Sequence, residues 1–138
     1  MTRFDPEFFK KTVFSKVQIT GYLEKAYRDL EIAGRDSFTE VRFSYGYQAL
    51  IKGCIALIAK SGSVKVRALP GHHIRLLEKT GEILADSDIF TTGNAMRMKR
   101  NDDLYGDAGI VTDTEADEYL KFVRMVLSRI REKVHQEK

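Results

Sequence analysis

The stretch Arg97-Met-Lys-Arg100-Asn101-Asp-Asp-Leu-Tyr105 gathers the residue types of this chain best suited to chemistry. On a helix Arg97, Asn101 and Tyr105 recur every four residues and share one face, with Arg100 flanking it at about 100°. Two guanidiniums, a carboxamide and a phenol would then meet near a helix C-terminus. A guanidinium fork grips a phosphate bidentately, and an amide donates to a phosphoryl oxygen or fixes a sugar hydroxyl. A phenol stacks on a base or donates a proton. A phosphodiester site needs this set, charge stabilisation first and proton traffic second. The catalytic candidates are therefore Arg100, Asn101 and Tyr105, and the phosphate-binding candidates are Arg97, Lys99 and Arg100. The competing reading is structural: Arg100 pairs with Asp103 or an acid on another helix, or an Arg–Asn pair locks the bundle.

Other chemistry-bearing residues carry less. Asp102 and Asp103 are adjacent, and adjacent helical side chains point apart, so with Asp107 they read as a solvated face and not as a metal site. His72 and His73 have no cysteine or acid at zinc spacing, although one of them could face a cleft and assist. Tyr45 and Tyr47 read as core and dimer-seam residues, with the lesser alternative that one lines the cleft. Cys54 lies in an apolar run with no nearby histidine, which reads as a buried, unreactive thiol. No metal and no cofactor is expected.

The elements that must position the motif are helices. The 138 residues fit one domain, 1–138, whose core needs no disulfide or metal staple. Apolar positions recur at helical spacing over about 12–33, 37–59, 71–85, 91–105 and 114–134, and no segment of comparable length alternates with period two. Ser37-x-x-Glu40 reads as a capping box for the second helix and Thr114-x-x-Asp117 as the cap of the fifth. Gly106 is a stop for the fourth. The second helix is apolar nearly all round, which makes it the central one. Residues 1–11 read as irregular and 61–69 as a basic loop. The fold class that follows is all-α, a four- to five-helix up-and-down bundle.

Charge is unevenly spread around the net +3. Residues 41–77 hold Arg42, Lys52, Lys60, Lys65, Arg67 and Arg75 and no acid, while 78–118 hold eleven acids against four bases. Three of those four bases are Arg97, Lys99 and Arg100, so the motif carries nearly all the cations of an acidic segment. Basic segments attract a polyanion such as RNA by counterion release; alternatively, the basic and acidic segments pack against each other. No apolar run reaches membrane-spanning length and no secretory core follows Met1, so a soluble cytoplasmic protein that meets no membrane is expected.

In the order and spacing of these pieces the chain resembles the HEPN domains. These are small helical bundles of prokaryotic toxin–antitoxin and defence systems, found also in some eukaryotic ribonucleases. The resemblance runs loosely over nearly the whole chain. It rests on Arg100-Asn101-x-x-x-Tyr105 before a capped final helix, on the Tyr-rich start of a long central helix (Tyr45-Gly-Tyr47-Gln48-Ala49), and on Gly71-His72-His73 opening the next. It implies a HEPN-like homodimer that binds RNA or nucleotide and acts as a metal-independent endoribonuclease. In that chemistry the 2′-hydroxyl attacks its own phosphate where two copies of the motif face each other. The family pattern has His where this chain has Tyr105. A His near 6.5 takes and gives protons at neutral pH, whereas a Tyr near 10 stays protonated and is a poor base. The motif thus points more firmly to anion binding than to catalysis. The resemblance also suggests a nucleotidyltransferase partner, although Asp107 stands where members under that control carry Tyr. The alternative function is a non-catalytic helical module that docks such a partner.

Overall fold

The computed structural model describes residues 2–104 and 111–136. In chain order these form β1 (Phe9–Lys11), α1 (Lys16–Arg35), α2 (Thr39–Gly62), β2 (Val64–Val66), α3 (His72–Ile83), α4 (Ser87–Leu104) and α5 (Asp113–Val134). The described residues form the all-α bundle expected from the periodicity, with five helices and 74% helix among them. No described helix is long and apolar enough to cross a membrane.

Local hydrogen bonding sets the helix starts, and several differ from the sequence expectation. Helix α1 begins at Lys16, not near Thr12, because Ser15 and Gln18 form a reciprocal capping box: Ser15 Oγ accepts from the Gln18 amide (3.1 Å) and Gln18 Oε1 from the Ser15 amide (2.8 Å). The box expected between Ser37 and Glu40 does not form. Asp36 Oδ1 takes the Phe38 amide instead (2.8 Å), and Phe38 becomes an N-cap with no side-chain bond. Helix α4 starts at Ser87, four residues before the expected position, with Asp86 Oδ1 accepting the Asp88 amide (3.0 Å). The cap of α5 is Thr112 with Glu115, not Thr114 with Asp117. The expected stop at Gly106 lies outside the described residues.

Helix α2 is the central element, packed against α1, α3, α4 and α5. Ala49, Leu50, Cys54, Ala56 and Leu57 are fully buried. Its approach to α5 is close because two glycines take leucines from that helix. A Cβ at Gly46 would lie 2.9 Å from Leu120 Cδ2, and one at Gly53 2.3 Å from Leu127 Cδ2. Both pairs repeat at a seven-residue spacing, so the two leucines seat along one seam.

Residues 9–11 and 64–66, read from sequence as irregular chain and basic loop, pair as an antiparallel ribbon. The register is Phe9↔Val66, Lys10↔Lys65 and Lys11↔Val64. Phe9 and Val64 turn inward and are buried, while Lys10 and Lys65 are exposed. Three-residue strands are too short for period-two alternation to register.

Some cations of the acid-free segment do pair across the bundle. Lys52 bonds the buried Asp29 (2.5 Å) and Arg42 bonds Asp117 (2.5 Å). Lys60, Lys65 and Arg67 make no ion pair among the described residues.

Candidate anion-binding site

Three helices bring their functional side chains together around Tyr47. From α2, Tyr47 is packed into the core at 1% exposure. From α3, His73 Nδ1 lies 2.8 Å from the Tyr47 hydroxyl. From α4, the Arg100 guanidinium sits 5.4 Å from the Tyr47 ring centroid, a cation–π distance. Arg97 lies one turn earlier on α4, half-buried, its Nε donating to Asn94 Oδ1 (2.8 Å). Asn101 is half-buried on the same face as Arg97.

The hydrogen bonds fix the proton positions. A carbonyl only accepts, so His72 Nδ1, 3.0 Å from the Leu69 carbonyl oxygen, carries a hydrogen. Burial pushes the Tyr47 phenol well above its ordinary range, outweighing the pull of Arg100 and Arg97, so Tyr47 holds its proton. Its hydroxyl makes one hydrogen bond, to His73. If His73 donated, the buried phenolic hydrogen would lack an acceptor, at a cost of about 1–3 kcal/mol. Tyr47 therefore donates to Nδ1, and neutral His73 carries its hydrogen on Nε2.

His73 is held neutral at physiological pH. Burial lowers it to about 4, with His72, Arg100 and Arg97 adding repulsion. The His72 ring lies 4.4 Å from it, edge-on. The resulting set is two guanidiniums and a neutral imidazole N–H, all donors, which is chemistry for an anion. His73 itself offers no base, because its one imidazole lone pair is occupied by Tyr47; the neighbouring His72, with its hydrogen on Nδ1, keeps a lone pair on Nε2.

The candidates from sequence separate here. Arg97 and Arg100 come together, and neither pairs with an acid among the described side chains. Lys99 turns the other way, its Nζ 3.0 Å from Glu115 Oε2, and ties α4 to the start of α5. The Glu115 carboxyl is lowered first by the Thr112 amide and then by Lys99. Tyr105 lies outside the described residues, as do Asp107 and the side chains of Asp102 and Asp103. Two members of the cluster, Tyr47 and His73, stood outside the catalytic and phosphate-binding candidates and entered from sequence only as residues with a lesser chance of lining a cleft. A signal for His73 was present: it precedes buried Leu77 by four residues and Thr80 by seven, which puts it on the inner face of α3. Cys54 is buried as expected, its thiol pushed up to about 12 by burial and inert as a nucleophile. No family model, no curated protein and no solved structure matches this chain, and the chemistry of the site rests on its own residues.

Proposed function

We propose that the protein is a HEPN-like RNA-binding domain whose Arg97, Arg100 and His73 Nε2–H hold a phosphodiester, with Asn101 beside them. The observation that carries this reading is the convergence of Arg97 and Arg100 on the neutral Tyr47–His73 pair. A guanidinium fork supplies two parallel donors to phosphate oxygens. A neutral imidazole adds a third donor without adding to the repulsion between the two arginines. A bound phosphate would relieve that repulsion, so the site favours an anion.

The resemblance extends the reading to a cytoplasmic toxin or defence component, active as a dimer, with a nucleotidyltransferase as a partner. The control that such partners exert does not carry over, because Asp107 stands at the position where it requires Tyr. The resemblance also extends the reading to metal-independent cleavage. For cleavage the 2′-hydroxyl proton needs an acceptor; His73 with its lone pair occupied and a phenol at Tyr105 are not ready ones, which leaves Nε2 of His72, beside the donor set and not within it. Binding is therefore the primary activity proposed and cleavage the secondary one.

The test is incubation with single-stranded RNA in EDTA, with binding and cleavage followed for the wild type and Arg100→Ala. Folding of the variant is checked by circular dichroism. Cleavage lost in a folded variant establishes the ribonuclease. Salt-dependent binding without cleavage, weakened in the variant, establishes the binder. Binding unchanged in both Arg97→Ala and Arg100→Ala removes the site and leaves the non-catalytic docking module. A monomer at micromolar concentration by sedimentation removes the two-motif cleft.

A further inference from the structure

We propose that RNA held at Arg97, Arg100 and His73 continues over the start of α3 onto the β1–β2 ribbon, where Lys10 and Lys65 bind its phosphates. The inference rests on the RNA reading above and extends it to a substrate longer than the site itself.

The first observation is the register. Lys10 and Lys65 are direct cross-strand partners, both exposed. Side chains so placed stand about 5 Å apart at Cβ, and like charges there are destabilising. Lysine on an edge strand discourages edge-to-edge association, but a Lys–Glu pair would do that as well and add attraction. Neither ammonium has an acidic partner among the described residues. Two like charges that face each other without a counter-ion on the protein form a site that an external anion stabilises.

The second observation is continuity. The ribbon runs on past its last pair, with the Arg67 amide donating to the Phe8 carbonyl oxygen (2.7 Å). The Arg75 guanidinium of α3 covers the Phe8 ring at 3.7 Å, and its acid, Glu78, is a loose 3.8 Å away. One turn earlier on α3 lies His72, in ring contact with His73, which bonds Tyr47 under Arg100. Arg75 and the two histidines at the start of α3 thus lie between the ribbon and the site. The segment that builds most of this path, residues 41–77, contains no acid. The guanidiniums fit carboxylate and phosphate alike; phosphate is favoured because a nucleic-acid backbone carries a charge at every nucleotide and can follow cations set apart along one path.

The test measures binding of 2′-O-methyl oligouridylates, which resist 2′-hydroxyl cleavage, at lengths of about four and about sixteen nucleotides. The wild type should bind the long probe about tenfold more tightly than the short one. Lys10→Gln/Lys65→Gln should lose most of that advantage, keep its affinity for the short probe within about twofold, and reduce the salt slope on the long probe by about 1 per lysine. The double variant should also be at least as heat-stable as the wild type, since it removes a like-charge pair, so misfolding does not mimic the result. A double variant that binds the long probe with wild-type affinity and slope overturns the ribbon assignment. If Arg100→Ala still weakens both probes in that case, the site reading stands. Poly-glutamate competing as effectively as RNA overturns the assignment to RNA. A wild type that binds neither probe overturns the site reading and the ribbon with it.

Discussion

The Tyr47 hydroxyl donates to Nδ1 of His73 across 2.8 Å and joins the core of α2 to the half-buried start of α3. A bond accepted by the neutral imidazole opposes its protonation. Tyr47→Phe keeps the ring under Arg100 and removes only that donor. It should destabilise the fold by about 1–2 kcal/mol, as Nδ1 loses its partner, and move the His73 pKa upward. Urea denaturation and imidazole NMR titration measure the two effects. A downward move would mean that His73 donates and Tyr47 accepts.

Folding stability should carry the mark of His73. Its folded pKa of about 4 lies below the unfolded value of 6.5, so between those values the unfolded chain binds the extra proton. The histidine's contribution is therefore fully present above about pH 6.5, is lost as pH falls toward 4, and is flat below that. The difference in stability between wild type and His73→Gln should shrink over this window. Adding inorganic phosphate should raise the His73 pKa, because an anion between Arg97 and Arg100 cancels their repulsion of the imidazolium. No shift on titration with millimolar phosphate would argue against anion binding beside His73.

The bundle and its central helix were readable because apolar periodicity over long segments records burial. The cap positions were less so, because the short cap pattern fits more than once. Thr112-x-x-Glu115 and Thr114-x-x-Asp117 overlap by two residues. The former wins, with Val111 and Ala116, the residues flanking its box, both buried. The ribbon left no periodic trace in three residues per strand. On the site, the arginines were legible from their types and spacing on one helix. Their partners on α2 and α3 were not, because the meeting of Tyr47 with His73 depends on how two helices pack.

Lys99 and Arg100 are neighbours in sequence with opposite assignments. Lys99 Nζ reaches Glu115 on α5, whereas Arg100 lies over Tyr47. A partly exposed ion pair contributes about 0.2–1 kcal/mol, so Lys99→Ala should lower stability by less than about 1 kcal/mol. It should weaken RNA binding by no more than about threefold, through the loss of general charge. Arg100→Ala should weaken it about tenfold or more, as a charge-assisted bond to phosphate is lost. Equal losses in the two variants, read by fluorescence anisotropy at fixed salt, would place the phosphate contact across the whole cationic run and not at Tyr47.

The α2–α5 seam predicts an alanine that harms a helix. Gly→Ala in a helix interior ordinarily gains roughly 0.5–1 kcal/mol from propensity. At Gly53 the new methyl would lie 2.3 Å from Leu127 Cδ2, and Leu127 is fully buried with Ile130 Cδ1 also 3.3 Å from that point. Overpacking of this kind costs about 1–3 kcal/mol, which outweighs the propensity gain. Gly53→Ala should therefore be net destabilising by thermal melting. Combining it with Leu127→Ala should make room for the methyl, so the pair should destabilise less than the sum of the two single variants. Additive losses would show that the glycine is not required for the close approach of the two helices.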